Sequence, residues 1–219
     1  MTASQLMVSP HGVLVVVDVP AEPEGLLLQL PPEEQALAEG YAKRRIATFA
    51  AGRTALRLAL QHAGISGSFA LLRDDRGAPI LPASVRGSIA HKDTTAVALV
   101  AVGERAHLGV DIEDIAPSTT DVSRHVLTPA ELAALAQLTG IDRTEQVLLR
   151  FSLKEALYKA IDPTVRRYVG FQEVEVTPHS DGTATISLSL KPGEGPFTVD
   201  AHYTRRGEAW LTSVRARMR

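Results

Sequence analysis

Residues 109–113 read GVDIE and residues 151–159 read FSLKEALYK, and the chain is organised around these two segments. Successive side chains of an extended strand point to opposite faces, so the two acids of the first segment share one face while its aliphatic residues pack behind them. In the second segment Glu155 and Lys159 are four residues apart, which places them on one face of a helix. We predict that this strand and this helix present three carboxylates and at least two ammonium groups to a single point.

The three carboxylates are those of Asp111, Glu113 and Glu155. Two carboxylates about 4 Å apart repel by roughly 4 kcal/mol at an effective dielectric constant of about 20, so a cluster of three needs a cation. Oxygen ligands favour a hard ion such as Mg2+, and lysines beside that ion indicate a phosphate ester that the ion also contacts. Taken one at a time, the strand acids are typical of an exposed strand edge, and Glu155 with Lys159 is typical of a surface salt bridge worth about 0.3 to 0.5 kcal/mol.

Composition excludes several classes of protein. With 219 residues, 45% hydrophobic and 22% charged, the chain can form one large domain or two lobes with a sizeable core. A net charge of -2 offers no bulk attraction to nucleic acid or to an anionic membrane. The absence of cysteine excludes disulfides and thiolate sites and is compatible with a reducing cytoplasm. The apolar run 12–17 is too short to span a bilayer, so we predict a strand there, not a signal or anchor.

Hydrophobic periodicity and turn residues divide the chain into strands and helices. Before residue 105 they predict strands at 13–19, 69–72 and 94–102, and one or two helices between Pro31 and Ala63. After residue 105 they predict a loop at 115–122, a helix capped by Thr128 from Pro129 to near Gly140, a helix at 143–161 stopped by Asp162-Pro163, and strands at 173–177, 183–190, 197–204 and 209–216. A boundary between two lobes near residue 105 follows from this division.

Three basic elements precede that boundary. Arg45 and Arg53 are eight residues apart, close to two helical turns, and would share a face of a continuous helix, although solvated arginines are common on helix surfaces. The turn Arg76-Gly77-Ala78-Pro79 could bring its backbone and one arginine close to a ligand. A lone histidine such as His91 is most simply a structural or exposed residue, but the adjoining Lys92 favours an anion contact.

In this order the segments resemble the paired signature of the 4'-phosphopantetheinyl transferases. The upstream elements that fit the same family are Lys43-Arg44-Arg45 with Phe49 and Arg53, Arg76-Gly77-Ala78-Pro79, and Ser88-Ile89-Ala90-His91. The resemblance is to the larger class and spans most of residues 40 to 172. It implies an α+β fold of two similar lobes related by pseudo-twofold symmetry, each an antiparallel sheet packed with helices. The lobes would be residues 1–105 and 106–219, the second carrying the metal-binding acids, with coenzyme A in the cleft between them.

The resemblance also implies a Mg2+-dependent reaction, with Mn2+ as an alternative metal. The phosphopantetheine arm of coenzyme A is transferred to a serine hydroxyl of an acyl or peptidyl carrier protein, and 3',5'-ADP is released. The implied partners are coenzyme A and the carrier domains of polyketide, peptide and siderophore synthases, including those of antibiotic biosynthesis, with no nucleic acid and no membrane. A cytoplasmic monomer is implied as well.

Residue roles are carried over by position in the motifs. The expected metal ligands are Asp111, Glu113 and Glu155. The residues expected to bind coenzyme A are Arg45, Arg53, Arg76, Gly77, Ala78, Pro79, Ala90, His91, Lys159 and Val169. Glu155 and Lys159 are the expected catalytic residues, with Glu155 accepting the serine proton directly or through a water. Many members of the family have lysine at Ala78 and serine at Ala90, and Arg76 can take the place of that lysine.

The carrier protein is expected to dock on the helix at 129–138, with Arg124, Arg143 or Arg166 facing its acidic surface. Two other functions remain open. One is a module that binds coenzyme A or a carrier protein without turnover. The other is a different Mg2+-dependent phosphoryl enzyme that hydrolyses nucleotides without a carrier, although the chain has no P-loop, GxGxxG or kinase motif.

Overall fold

The computed structural model describes residues 3–67, 69–103, 105–115 and 121–219. The chain divides into two compact units, Met1–Arg105 and Ala106–Arg219. Each unit contains an antiparallel sheet and a long helix that packs on it. The α+β class predicted from the sequence is therefore confirmed, whereas the pseudo-twofold relation between the units stays a prediction. Most of the loop predicted at 115–122 lies outside the described residues.

The first unit is a four-stranded sheet covered by helices. Its elements are β1 (Ser4–Met7), β2 (Val13–Asp18), α1 (Glu24–Leu27), α2 (Pro32–Leu37), α3 (Lys43–His62), β3 (Val85–His91) and β4 (Thr95–Val102). The strand order is β1-β2-β4-β3, with every neighbouring pair antiparallel. Small buried residues of α3, including Ala51, Ala55 and Ala59, let the helix lie close to the sheet and share its apolar core.

The strand predicted at 69–72 is wrong. Residues 69–72 form no strand, and the nearest strand-like pairing is an isolated bridge between Arg73 and Pro79. The reason is a competing partner, because the backbone N–H of Leu71 donates to the carboxylate of Glu34 at 2.6 Å and so is not available for a ladder. The structure also adds β1, a strand that the sequence analysis did not predict.

The second unit is a five-stranded antiparallel sheet in the order β5-β9-β8-β7-β6. Its elements are β5 (His107–Asp114), α4 (Ser123–Val126), α5 (Pro129–Ala134), α6 (Gly140–Val165), a 3-10 turn (Phe171–Glu173), β6 (Val174–Pro178), β7 (Thr183–Leu188), β8 (Phe197–Arg206) and β9 (Ala209–Met218). Leu149, Leu153 and Leu157 of α6 are buried against this sheet, as the period of a helix packed on one face requires.

Three helix boundaries differ from their predictions. The helix α6 begins at Gly140, three residues before the expected start at Arg143. It continues past the expected stop at Pro163 and ends at Val165, and the capping residue Arg166 has a left-handed φ of 52°. Because Pro163 lies in the last turn, its missing N–H removes a single helical hydrogen bond. The helix α5 ends at Ala134 instead of near Gly140, and Arg143 Nη1 donates to the carbonyl of Leu135 just beyond it at 3.0 Å.

The predicted cap of α5 is confirmed. Glu131 N donates to Thr128 Oγ1 at 3.3 Å, and Thr128 N donates to Glu131 Oε2 at 2.7 Å. The side chain of each residue therefore accepts a hydrogen bond from the backbone N–H of the other. Among the described residues, no helix has both the length and the apolar character needed to cross a bilayer.

Candidate active site

Gly109 lets the backbone of α6 lie directly on β5. A Cβ atom built on Gly109 would lie 1.7 Å from the carbonyl oxygen of Ala156, far inside van der Waals contact. Only glycine is compatible with this approach, and the reason is space, not backbone conformation. The close approach places the turns of α6 that carry Ser152 and Lys159 over the same face of β5 as Asp111, which is two residues from Gly109.

Asp111 receives two hydrogen bonds from α6. Ser152 Oγ donates to Asp111 Oδ2 at 2.9 Å, and Lys159 Nζ donates to Asp111 Oδ1 at 2.8 Å. The same ammonium group donates to the carbonyl of Val110 at 3.0 Å. Asp111 is 6% exposed, so the ion pair with Lys159 lies at the margin of the core and not on open surface. The two motif segments therefore meet through charged side chains.

The other two predicted metal ligands lie on the same two elements. Glu113 is buried on β5, two residues beyond Asp111 and on the same strand face. Glu155 is half-buried on α6, three residues after Ser152 and four before Lys159, and so shares their helix face.

Within the described ranges, no group of three or more His, Asp or Glu side chains is gathered closely enough to hold a metal. The oxygen donors of Asp111, Glu113 and Glu155 suit a hard cation such as Mg2+, although one of these carboxylates is engaged by Lys159. The metal site remains a prediction.

Val169 and Glu155 line a common cavity. The cavity has a volume of about 10 Å³, enough for a water, and lies between α6 and the segment 168–171. Val169 is 5% exposed within the same core cluster as the buried residues of α6. The structure therefore brings together two predicted site residues, Glu155 from the second motif and Val169 from the loop that follows α6.

Arg167 holds the segment that carries Val169. Its guanidinium donates to Glu173 at 2.9 and 2.6 Å, to Glu194 at 2.7 and 2.6 Å, and to the carbonyl of Tyr168 at 2.7 Å. The hydrogen bonds from Arg167 lower the pKa of Glu173 and of Glu194, and they raise the pKa of Arg167 itself. One arginine thus joins this segment to the 3-10 turn and to the loop before β8.

Lys154 belongs to the motif but was given no role from the sequence. Its side chain is 1% exposed. Its ammonium group donates to Val126 O at 2.8 Å, to Glu131 Oε2 at 2.6 Å and to Phe171 O at 3.0 Å. Burial lowers the pKa of Lys154, and the carboxylate of Glu131 opposes that shift. The partners come from distant segments, so the sequence carried no signal for this junction beneath the expected carrier helix.

In the first unit, the structure brings Arg45 and His91 together. Arg45 Nη1 lies 2.6 Å from His91 Nε2, and because a guanidinium only donates, this histidine nitrogen accepts. Ala90 is buried beside them on β3. In the predicted turn, Asp74 Oδ1 accepts the backbone N–H groups of Arg76 and Ala78, both at 2.9 Å, so the turn is held by its own side chain. The segment 73–77 is exposed, and Ala78 and Pro79 are half-buried.

Arg53 differs from Arg45 in its surroundings. It is 6% exposed, and its Nε lies 3.9 Å from Oε2 of the fully buried Glu34. Glu34 also pairs with Arg57. Burial lowers the pKa of Arg53, and the guanidinium packs 5.1 Å from the ring centre of Phe49. Helical spacing alone did not reveal that one of these two arginines is buried and the other exposed.

Comparison with known proteins covers both units. The 4'-phosphopantetheinyl transferase superfamily profile matches residues 107–214, and the profile of the 4'-phosphopantetheinyl transferase N-terminal domain matches residues 33–101. The chain is 36% identical over 156 residues to the 4'-phosphopantetheinyl transferase Npt of Nocardia iowensis, a match that covers 70% of this chain and 68% of that one.

Two further relatives match over longer stretches. Enterobactin synthase component D of Salmonella austin is 32% identical over 197 residues, covering 87% of this chain and 79% of its own length. The 4'-phosphopantetheinyl transferase Svp of Streptomyces mobaraensis is 35% identical over 181 residues, covering 80% and 71%. The chain therefore belongs to the larger class of the 4'-phosphopantetheinyl transferase superfamily.

Proposed function

We propose that this chain is a 4'-phosphopantetheinyl transferase, which moves the phosphopantetheine arm of coenzyme A to a serine of an acyl or peptidyl carrier protein. The observation that carries the proposal is the junction of β5 and α6, where Lys159 and Ser152 both bind Asp111. In this junction an ammonium group and buried carboxylates lie together, as transfer of a phosphate ester requires. Relatives over most of the chain bear the name of this activity.

In the proposed reaction, the serine oxygen attacks the β-phosphorus of coenzyme A. The bridging P–O bond breaks, 3',5'-ADP leaves with the bond electrons, and the serine proton passes to Glu155 directly or through a water. Lys159 stabilises the charge that develops on the phosphoryl oxygens, and Asp111 orients Lys159. Mg2+, held by Asp111, Glu113 and Glu155, would neutralise the pyrophosphate, with Mn2+ as an alternative.

Coenzyme A binding is assigned to residues of both units. In the first unit we assign phosphate contacts to Arg45, His91 and Arg76, and nucleotide contacts to the backbone of the turn 77–79 and to Ala90. Arg45 and His91 touch one another, and the turn at 76–79 is exposed, which supports the assignment. In the second unit we assign the pantetheine arm to the vicinity of Val169, which lines a cavity with Glu155.

The carrier protein is proposed to dock on a groove beside α5. The groove has a volume of about 370 Å³. Its lining is mainly apolar, from Leu127, Pro129, Leu132 and Phe171, with Arg124 at the same surface. A carrier helix with an apolar face and acidic flanks would complement this surface. We further propose that the enzyme serves siderophore, peptide or polyketide synthases and acts as a cytoplasmic monomer.

Intact mass spectrometry tests the function. An apo carrier protein is incubated with this protein, coenzyme A and Mg2+, beside the variants Glu155→Gln and Glu145→Gln. Transfer adds about 340 Da, the mass of the arm, to the carrier. We expect this gain with the wild type and with Glu145→Gln, which makes the same change on α6 at a residue paired with Arg205, and its loss with Glu155→Gln.

The binding-module alternative has a distinct outcome. If wild-type protein binds coenzyme A but adds no mass to any of several acyl and peptidyl carriers, the transferase proposal is wrong and binding without turnover replaces it. Release of phosphate from nucleotides in the absence of a carrier would point instead to a different phosphoryl enzyme.

A further inference from the structure

Tyr41 joins two exposed arginines of the first unit. The guanidinium carbon of Arg45 lies 5.4 Å from the centre of the Tyr41 ring, and Arg73 Nη1 donates to the Tyr41 hydroxyl at 3.0 Å. The ring itself packs edge-on against Phe49, with 5.9 Å between the ring centres. Arg45 lies in the first turn of α3 and Arg73 follows that helix in the sequence, and one aromatic residue contacts both.

The arginines of this region divide into two kinds by their charge balance. Arg53 and Arg57 share the buried carboxylate of Glu34. Arg45 and Arg73 are exposed, and neither forms an ion pair with an acid in the described part of the chain. Arg45 contacts Thr48, His91 and Tyr41, and none of these side chains carries a negative charge.

Two neighbouring guanidinium groups without a counter-charge form an anion site, because their mutual repulsion is relieved by a ligand with negative charge. A guanidinium also matches the geometry of a phosphate, to which it can donate two parallel hydrogen bonds. The buried Arg53 is less accessible to a ligand, because its exposed fraction is 6% and its Nε lies 3.9 Å from the carboxylate of Glu34.

We propose that Arg73 is a phosphate ligand of coenzyme A, that Tyr41 orients Arg73 and Arg45 toward the same ligand, and that Arg53 supports this site from within the core. The proposal rests on the proposed function, since it takes coenzyme A as the bound nucleotide. The shared chemistry is a phosphate group. Coenzyme A offers two sources of it, the pyrophosphate and the ribose 3'-phosphate.

The first experiment measures coenzyme A binding by calorimetry. We expect Arg73→Gln to raise the Kd by about 10- to 100-fold, the loss typical of a hydrogen bond to a charged group. Tyr41→Phe keeps the ring and removes only the hydroxyl, so a smaller rise is expected, and the double variant should bind no more weakly than Arg73→Gln alone. Arg73→Lys should retain part of the affinity, because the charge remains.

Arg44→Gln is the matched control. It removes one exposed arginine next to Arg45, but the charge of Arg44 is balanced by Asp93. We expect its Kd to stay within about twofold of the wild type. Arg73→Gln and Arg44→Gln should keep the wild-type melting temperature, because both arginines are exposed. In transfer assays Arg73→Gln should show a raised KM for coenzyme A with kcat unchanged, and Arg44→Gln should show the wild-type KM.

Parallel titrations with 3'-dephospho-coenzyme A separate the two phosphate sources. If Arg73 binds the 3'-phosphate, the variant and the wild type will bind this analogue equally; if it binds the pyrophosphate, the variant will bind the analogue more weakly. A Kd for coenzyme A within twofold of the wild type in Arg73→Gln would overturn the inference and leave the transferase proposal intact. Absence of coenzyme A binding by the wild type would instead overturn the proposed function.

Discussion

Lys159 Nζ on α6 lies 2.8 Å from Asp111 Oδ1 on β5, although 48 residues separate the two in the chain. The lysine side chain is 28% exposed and the aspartate side chain 8% exposed. The ammonium group thus reaches the surface while its partner stays in the core. This geometry fixes the direction of the lysine and leaves part of its charge available to a ligand.

Replacement of Lys159 by Met should reduce transfer far more than stability. Loss of one preorganised donor to a developing oxyanion typically costs about 100- to 1,000-fold in kcat. We expect a fall of that size, measured as the rate of mass gain on a carrier protein. Lys191→Met, which removes a lysine from the loop between β7 and β8, should keep the wild-type rate. A rate for Lys159→Met within threefold of the wild type would contradict the role assigned to the ammonium group.

Replacement of Gly109 by Ala should disturb both stability and activity. The added methyl group would collide with the carbonyl of Ala156, so β5 and α6 must move apart. We expect a loss of at least about 2 kcal/mol in the free energy of unfolding, measured in urea. Displacement of Ser152 and Lys159 from Asp111 should also lower the transfer rate by about 10-fold or more.

Gly25→Ala is the control for that substitution. An added Cβ at Gly25 has no neighbour within 4 Å, so we expect wild-type behaviour within about 0.5 kcal/mol. If Gly109→Ala and Gly25→Ala unfold at the same urea concentration, the close approach of α6 to β5 is not needed for stability.

Replacement of Glu34 by Gln should destabilise the protein strongly. Glu34 is fully buried between Arg53 and Arg57, and its removal leaves buried positive charge without a counter-ion. Removal of one partner of a buried pair typically costs about 3 to 5 kcal/mol. The same change at Glu22, whose pair with Lys43 is exposed, should leave the free energy of unfolding close to that of the wild type. Urea denaturation measures the free energy of unfolding of both variants. Equal losses for Glu34→Gln and Glu22→Gln would contradict the role assigned to the buried carboxylate.

The ion pairs of Arg167 should make stability depend on acid pH. The folded-state pKa values of Glu173 and Glu194 lie below the ordinary value of 4.5, so the unfolded chain binds more protons as the pH falls. Their contribution is therefore present above that value and is lost as the pH falls through the folded-state values. We expect the urea midpoint of Arg167→Gln to fall less between about pH 6 and about pH 3 than that of the wild type.

Arg217→Gln provides the comparison for that pH profile. Arg217 is exposed on β9, and no ion pair of this residue occurs in the described part of the chain. Its variant should follow the wild-type profile. Identical profiles for Arg167→Gln and the wild type would show that these pairs contribute nothing to folding.

Local patterns in the sequence were enough for much of this molecule. The β-branched run of β2, the cap at Thr128 and the alternation of β6 to β9 depend on neighbouring residues, and each was predicted before the structure. The spacing within the two motif segments likewise predicted which side chains share a face, because the periods of a strand and a helix dictate this. The family and the α+β fold class followed from the resemblance of the ordered motifs to the signature of the 4'-phosphopantetheinyl transferases.

Only the tertiary structure decided which charges are buried and which are free to bind a ligand. Lys154 pairs with Glu131 in the core, Glu34 lies beside the buried Arg53, and the Tyr41 hydroxyl accepts a hydrogen bond from Arg73. Each pair joins segments whose sequences give no indication of the contact. The physical reason is that the cost of burying a charge depends on the partner that folding brings to it and not on its neighbours in the chain. The sequence alone determined most of the helices and strands and the chemistry of the motifs. Tertiary packing determined which charged side chains are buried in ion pairs and which remain accessible to a ligand.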